Sequence, residues 1–468
     1  MQLLAVRTFR MTGGQRAAPP WLLLALACAA QFLVVLDATI VSVALPPIAG
    51  ELGFAAGSIE WVVTAYTLAF AGLLLLGGRL ADLYGTRAVF LAGLALFTAA
   101  SLWCGLATGA PELVAARAAQ GVGGALLMPT TLTIVHRAYE QPDRRARALG
   151  LWSMVGAMGA ACGTVFGGLL TGTLGWRAVF LVMVPVGAAI LAAAWYALAR
   201  RAPVQAPREP LDVTGALLVT SGLAALVYGA AALGGAGGAR RAVWFLGAAA
   251  VLLGLFAVSQ RAWARSPLMP PQIFRHRSVS SANAVMFCLG MGYLASPVLL
   301  SLYLQNVRHF TPLRAGLGFL PAAFAVMAGA QLAGRLTPRW GTRRTACLGA
   351  LLSSAGFLLL ARVGVHTPFA SIALPVALFG LGIGIAFTPI TVAATGGVDA
   401  SLTGLASGLL NTVRQVTTAL GIAVLSGVAN SRTGAGGYSR AFLLAGVLAA
   451  VAAVGAAVLM PGRRKGGR

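Results

Sequence analysis

Charge is scarce in this 468-residue sequence. Asp, Glu, Lys and Arg together make up 9% of it, against 59% hydrophobic residues. Soluble domains carry roughly 25% charged residues, so a soluble globular fold is excluded. Acids are the scarcest, at ten; of the 34 bases only Lys465 is a lysine. The four histidines, His136, His276, His309 and His366, fall in loops or at the ends of apolar segments, far apart in sequence. No deep nucleophile–base pair is visible, and no Gly-x-x-x-x-Gly-Lys-[Ser/Thr] loop for a nucleotide phosphate. An enzyme and an ATP-driven pump are therefore both poor readings. Cys28, Cys104, Cys162, Cys288 and Cys347 each stand alone in a separate apolar segment. That pattern suits neither a metal site nor a disulfide framework, and no cofactor is expected.

What is abundant is long, continuous apolar sequence. A helix needs about 20 apolar residues to cross a bilayer, and the runs do not alternate as barrel strands would. The expectation is an all-α integral membrane protein with 14 transmembrane helices. They lie near 21–45, 59–78, 88–108, 112–135, 148–172, 177–199, 212–233, 243–260, 281–304, 313–334, 345–362, 369–394, 402–428 and 441–460. The segment 21–45 is too long for the core of a cleaved signal peptide, although either Met1 or Met11 can be the true start. The net charge of +24 follows membrane topology and not nucleic-acid binding. With both termini inside, the inner loops hold about 24 basic residues and the outer loops about 8, which places both ends in the cytoplasm.

The chain repeats itself. GRLADLYGTRA (78–88) follows the second span and GRLTPRWGTRR (334–344) follows the tenth. At nearly the same offset QGVGGA (120–125) matches FGLGIG (379–384), and ALGLW (148–152) matches ASGLL (406–410). A parallel duplication gives two six-helix bundles related by an axis along the membrane normal. The expected division is a cytoplasmic tail at 1–20, a first bundle at 21–200, linker segments with inserted helices seven and eight at 201–277, a second bundle at 278–460 and a basic tail at 461–468.

Within LDATIVSVALP (36–46) a carboxylate sits in the middle of a segment built for hydrocarbon. Counting along ideal helices puts Asp37 about 12 Å, and Arg117 roughly 9 Å, below the outer ends of helices one and four. A charged Asp at that depth costs about 2.5–3.5 kcal/mol, and protonation removes the charge. Asp37 is thus the candidate to take a proton from outside and release it inside, with Arg117 competing for the carboxylate. The alternative is a static Asp37–Arg117 ion pair that only fixes helix packing. Arg414 is the third deep charge, and the second bundle offers no deep acid. A cavity of that kind leans toward neutral, monocationic or anionic amphiphiles and away from dications.

The motifs together resemble the major facilitator superfamily, and within it the 14-helix drug:proton antiporters. LDATIVSVALP is similar to their first-helix signature, with Ser42 in place of the usual Asn. GRLADLYGTRA resembles the loop after helix two. There Gly78, Asp82, Gly85 and Arg87 would form a cytoplasmic gate, weakened by Leu83 and Thr86 where bases are usual. RAAQGVGGALLMP (117–129) is similar to the fourth-helix signature. Gly150, Gly159, Gly163, Gly167 and Gly168 fit the fifth-helix antiporter spacing, with Thr164 where Pro is usual. WVVTAYTLA (61–69), GWRAVFLVMVP (175–185), LDVTGALL (211–218), LYLQ (302–305) and GLASGLLNTVRQ (404–415) extend the likeness over nearly the whole chain.

The resemblance implies a proton-coupled exporter of amphiphilic drugs or natural products, acting as a monomer by alternating access in a bacterial cytoplasmic membrane. Its partners would be a small amphiphilic substrate, protons and lipid. The competing function is a proton-coupled uptake permease for a small organic solute. Candidate cavity residues are Thr39, Trp61, Tyr66, Gln120, Tyr303, Phe387, Asn411, Arg414 and Gln415, although packing or inter-helix hydrogen bonds would also account for most of them.

Overall fold

In the computed structural model, residues 18–54, 58–139, 141–198, 212–232, 238–263, 267–269, 271–365, 367–396, 403–432 and 434–461 are described, and they contain no strand. Most of the 1–20 tail, the 199–211 linker and the basic tail from 462 onward lie outside them.

The first half comprises α1 (Pro20–Leu52), α2 (Trp61–Tyr84), α3 (Thr86–Leu106), α4 (Ala110–Ala138), α5 (Pro142–Thr173), the short α6 (Arg177–Leu181) and α7 (Met183–Ala197). Then come α8 (Val213–Ala232) and α9 (Gly238–Val258). The second half contains α10 (Arg277–Tyr293), α11 (Ser296–Leu302), α12 (Pro312–Leu317), α13 (Leu320–Leu360), α14 (Phe369–Thr395), α15 (Thr403–Asn430) and α16 (Ala435–Leu459). Helix ends follow local chemistry. Proline opens α1, α4, α5 and α12 in the first turn, where its missing N–H is no loss. Gly53, left-handed at φ 66°, ends α1 by returning its N–H to the Ala49 carbonyl.

Among the described residues, twelve helical segments are long and apolar enough to cross a membrane. This differs from the 14 expected at two places. The stretch of α2 with described side chains is Trp61–Leu74, shorter than a span, although the helix itself runs 24 residues. The segment Pro312–Leu360 is counted once at 49 residues, although Gly341 inside it is non-helical at φ 80°, ψ 167°. Gly85, its counterpart in the sequence repeat, has φ 88° and ψ 139°. Both repeats therefore break their helix at the same glycine, in a region of backbone space open almost only to glycine.

In the first half α1 packs on α4 and α5, and α4 on α2 and α3. In the second, α13 packs on α14 and α16, and α10 on α14, α15 and α16. The halves meet where α2 lies along α15, α5 along α12 and α1 along α11. The α8–α9 hairpin lies against α2 and α15 together, through Leu68, Leu223, Val227, Ala419, Leu420 and Ala423. Large apolar side chains such as Phe166, Tyr196, Trp244, Phe324, Leu374 and Val454 face outward, as a lipid-bathed surface requires.

Candidate functional site

Asp37 from α1, Arg117 and Gln120 from α4 and Ser101 from α3 come together in the first bundle, all fully buried. Arg117 and Gln120 are three residues apart and share a helix face. Arg117 donates from Nη1 to Asp37 Oδ2 at 2.7 Å, and Gln120 donates from Nε2 to Asp37 Oδ1 at 2.9 Å. Gln120 also donates to Ser101 Oγ at 2.8 Å, and its Oε1 accepts from Arg117. Arg117 Nε donates to the Val62 carbonyl at 2.8 Å. Its guanidinium lies 4.4 Å over the Tyr66 ring and 5.8 Å from that of Phe180. The carboxylate is thus held on both oxygens, while Arg117 Nη2 and Tyr66 Oη are buried with no hydrogen-bond partner. The network couples four helices, α1 to α4, and Asp37 is its one acid.

Glycines set how closely these helices approach. A Cβ on Gly121 would sit 2.4 Å from the Tyr66 carbonyl, and one on Gly159 3.1 Å from the Phe32 carbonyl. Gly163 lies against Thr39 and Leu36, and Gly167 against Ile40, so most of the α5 stripe seats α1. Thr39 itself donates to the carbonyls of Val35 and Leu36. Gly168 faces elsewhere, toward Pro312 and Gly316 of α12. Thr164 is buried, and its carbonyl faces Gly316. Gly150 lies in α5, but its surroundings are outside the described set.

The expected cavity residues separate into groups. Tyr66 and Gln120 belong to the buried Asp37 network. Tyr303 is fully buried in the second bundle, donates to the Gly364 carbonyl at 2.9 Å and packs on Tyr438 and Phe442. Trp61 packs on Tyr228 of α8 at 5.7 Å. Phe387, Asn411, Arg414 and Gln415 are half-buried, and they form a separate group on α14 and α15. At the expected gate, Arg87 donates to the Trp195 carbonyl at 3.1 Å and lies 5.0 Å over that ring. It therefore ties α3 to α7 within one bundle. Gly78 approaches Pro129, and the Asp82 side chain lies outside the described set.

Sequence reasoning missed two contributors to the network: Ser101 and the Val62 carbonyl. It also missed the contacts between halves at the Glu60 end. There Gln305 Nε2 donates to the Val43 carbonyl at 2.9 Å, and Asn430 Nδ2 donates to Glu60 Oε1 at 3.4 Å.

Many apolar helices in two halves packed together, the first enclosing a buried charge network, define a multi-pass membrane protein. The chain belongs to the Major Facilitator Superfamily, whose model matches residues 27–422. It is 41% identical to a cephamycin export protein of Amycolatopsis lactamdurans, over 88% of this chain and 85% of that one. It is 39% identical to a puromycin resistance protein of Streptomyces alboniger, over 89% and 83%. A tetracenomycin C resistance and export protein of Streptomyces glaucescens is 32% identical, over 89% and 77%. These relatives are antibiotic export and resistance proteins.

Proposed function

We propose that this chain is a proton-coupled exporter of amphiphilic drugs or natural products, working by alternating access between two six-helix bundles. The observation that carries the reading is the Asp37 carboxylate, sealed from solvent and held by Arg117 and Gln120. Burial of an ion is tolerated only with a partner, so proton uptake at Asp37 forces Arg117 to fall back on Gln120, the Val62 carbonyl and the aromatic faces. That rearrangement spans α1, α2, α3 and α4, and it gives the proton a means of changing how the bundle packs. Release of the same proton restores the pair. The sealed state is one end of the cycle; proton and substrate reach the site when the bundles part.

The breaks at Gly85 and Gly341 support counting α2 as one span and Pro312–Leu360 as two, which makes fourteen with α8 and α9. The arginine distribution supports cytoplasmic termini, so the Glu60 end faces outward and is closed here. The relatives' names support drug or natural-product export.

Proton release from acid-loaded everted vesicles on addition of amphiphilic drugs tests this. Wild type is expected to release protons and Asp37→Asn is not. Equal release from both would leave Asp37 as a packing partner of Arg117. No release from folded wild type with any drug would overturn antiport and favour uptake.

A further inference from the structure

Arg414 stands near the middle of α15, about 16 Å along the helix from Thr403 and about 24 Å from Asn430. It is half-buried, and its guanidinium lies 4.4 Å over the Phe387 ring of α14. Among the described residues its only side-chain acceptor is the neutral Asn411 Oδ1, at 3.3 Å from Nη1.

Acids with described side chains are engaged elsewhere. Asp37 pairs with Arg117 and Glu51 with Arg177, the two ion pairs among the described residues. Glu60 meets Asn430, Glu112 accepts from Trp103 and Thr108, and Asp212 accepts from Gln260 and the Gly215 amide. Arg117 and Arg414 therefore differ in kind. Arg117 is fully buried with its carboxylate in place; Arg414 stays partly open, with its charge balanced by no protein group among them.

An intramembrane base is costly, and such bases line cavities or pair. Stacking on Phe387 leaves the edge of the guanidinium available, and that edge matches a carboxylate or sulfonate in a two-pronged hydrogen bond. Phe387 places apolar surface beside it.

We propose that Arg414, with Asn411 and Phe387, is the subsite for the acidic head group of the substrate, and that the exporter's substrates are amphiphilic organic anions. This rests on the export reading and narrows it. The apolar body of the substrate lies against Phe387, and its anionic group takes the place of the missing counter-ion.

The test uses a matched probe set: 11-(dansylamino)undecanoate, its methyl ester and its trimethylammonium analogue. Binding to the full-length protein in lipid nanodiscs is followed by dansyl fluorescence. Wild type should bind the anion more tightly than the ester, and the ester more tightly than the cation. Arg414→Gln should weaken the anion by at least about tenfold, the scale of a lost charge-assisted hydrogen bond, and leave the ester unchanged. Arg414→Lys should retain part of the preference, and Arg414→Glu should reverse it. Wild type with no preference for the anion overturns the inference even if Arg414→Gln does not fold. So does a folded Arg414→Gln that weakens all three probes alike. Binding needs no proton gradient, so the two readings fail separately. Arg414-dependent anion binding without drug-triggered proton release would sink the export reading alone, and release without head-group preference would sink this one alone.

Discussion

Gly168 and Gly316 meet backbone to backbone across the two halves of the molecule. A Cβ on Gly168 would lie 2.6 Å from the Pro312 carbonyl and 3.2 Å from the Gly316 Cα; one on Gly316 would lie 2.6 Å from the Thr164 carbonyl. No side chain fits this crossing while the Glu60 end is closed.

Gly168→Leu and Gly316→Leu are therefore expected to disfavour closure by about 1–3 kcal/mol, the usual cost of overpacking. Folding of each bundle should be little affected. The measurement is labelling, by a membrane-impermeant maleimide, of an introduced Ser301→Cys, a fully buried position beside the Gln305 contact with α1. Reactivity should rise in both leucine variants, and transport should fall with it. Unchanged labelling would mean that the two helices separate without consequence.

Removing Arg117 leaves the Asp37 carboxylate buried with Gln120 as its remaining side-chain donor. Arg117→Ala should destabilise the protein by about 3–5 kcal/mol, seen as a lower Tm in detergent. Adding Asp37→Asn should recover most of the loss, because the amide needs no counter-charge. Losses that simply add would show that the two groups are not coupled.

Gly85→Ala and Gly341→Ala should each cost about 1–3 kcal/mol, because both positions hold backbone angles that suit only glycine. Gly334→Ala is the control. A Cβ there meets nothing within 4 Å, so its effect should stay within about 0.5 kcal/mol. Thermal unfolding of the three variants side by side decides the point.

The sequence made the charged part of the site legible, because Asp37 and Arg117 are conspicuous in apolar runs and helix counting puts them at similar depth. Ser101 was hidden for the opposite reason: a small polar residue in an Ala-rich helix is ordinary. The Val62 carbonyl belongs to the backbone, which no side-chain pattern reports. The α5 glycines were legible as a spacing, but not the partners they seat: adjacent residues point about 100° apart on a helix, so Gly167 meets α1 while Gly168 meets α12. Tyr303 and Trp61 were placed by residue type alone, and an aromatic ring in a span packs equally well on either side of its helix. The matching loops were legible in the repeat, but the positive φ at Gly85 and Gly341 is a backbone property that hydropathy does not report.

The α8–α9 hairpin grips α2 and α15 at once, with Tyr228 wedged 5.7 Å from Trp61 and 4.3 Å from Phe245. One flank of the molecule thus carries a clip across its two halves, while the crossing of α5 and α12 is centred on two facing glycines, Gly168 and Gly316. A structure stiffened along one edge flexes about that edge. Relative movement should be smallest beside Tyr228 and largest at Gly168. A hydrophobic compound arriving from within the bilayer would then find its doorway on the glycine side.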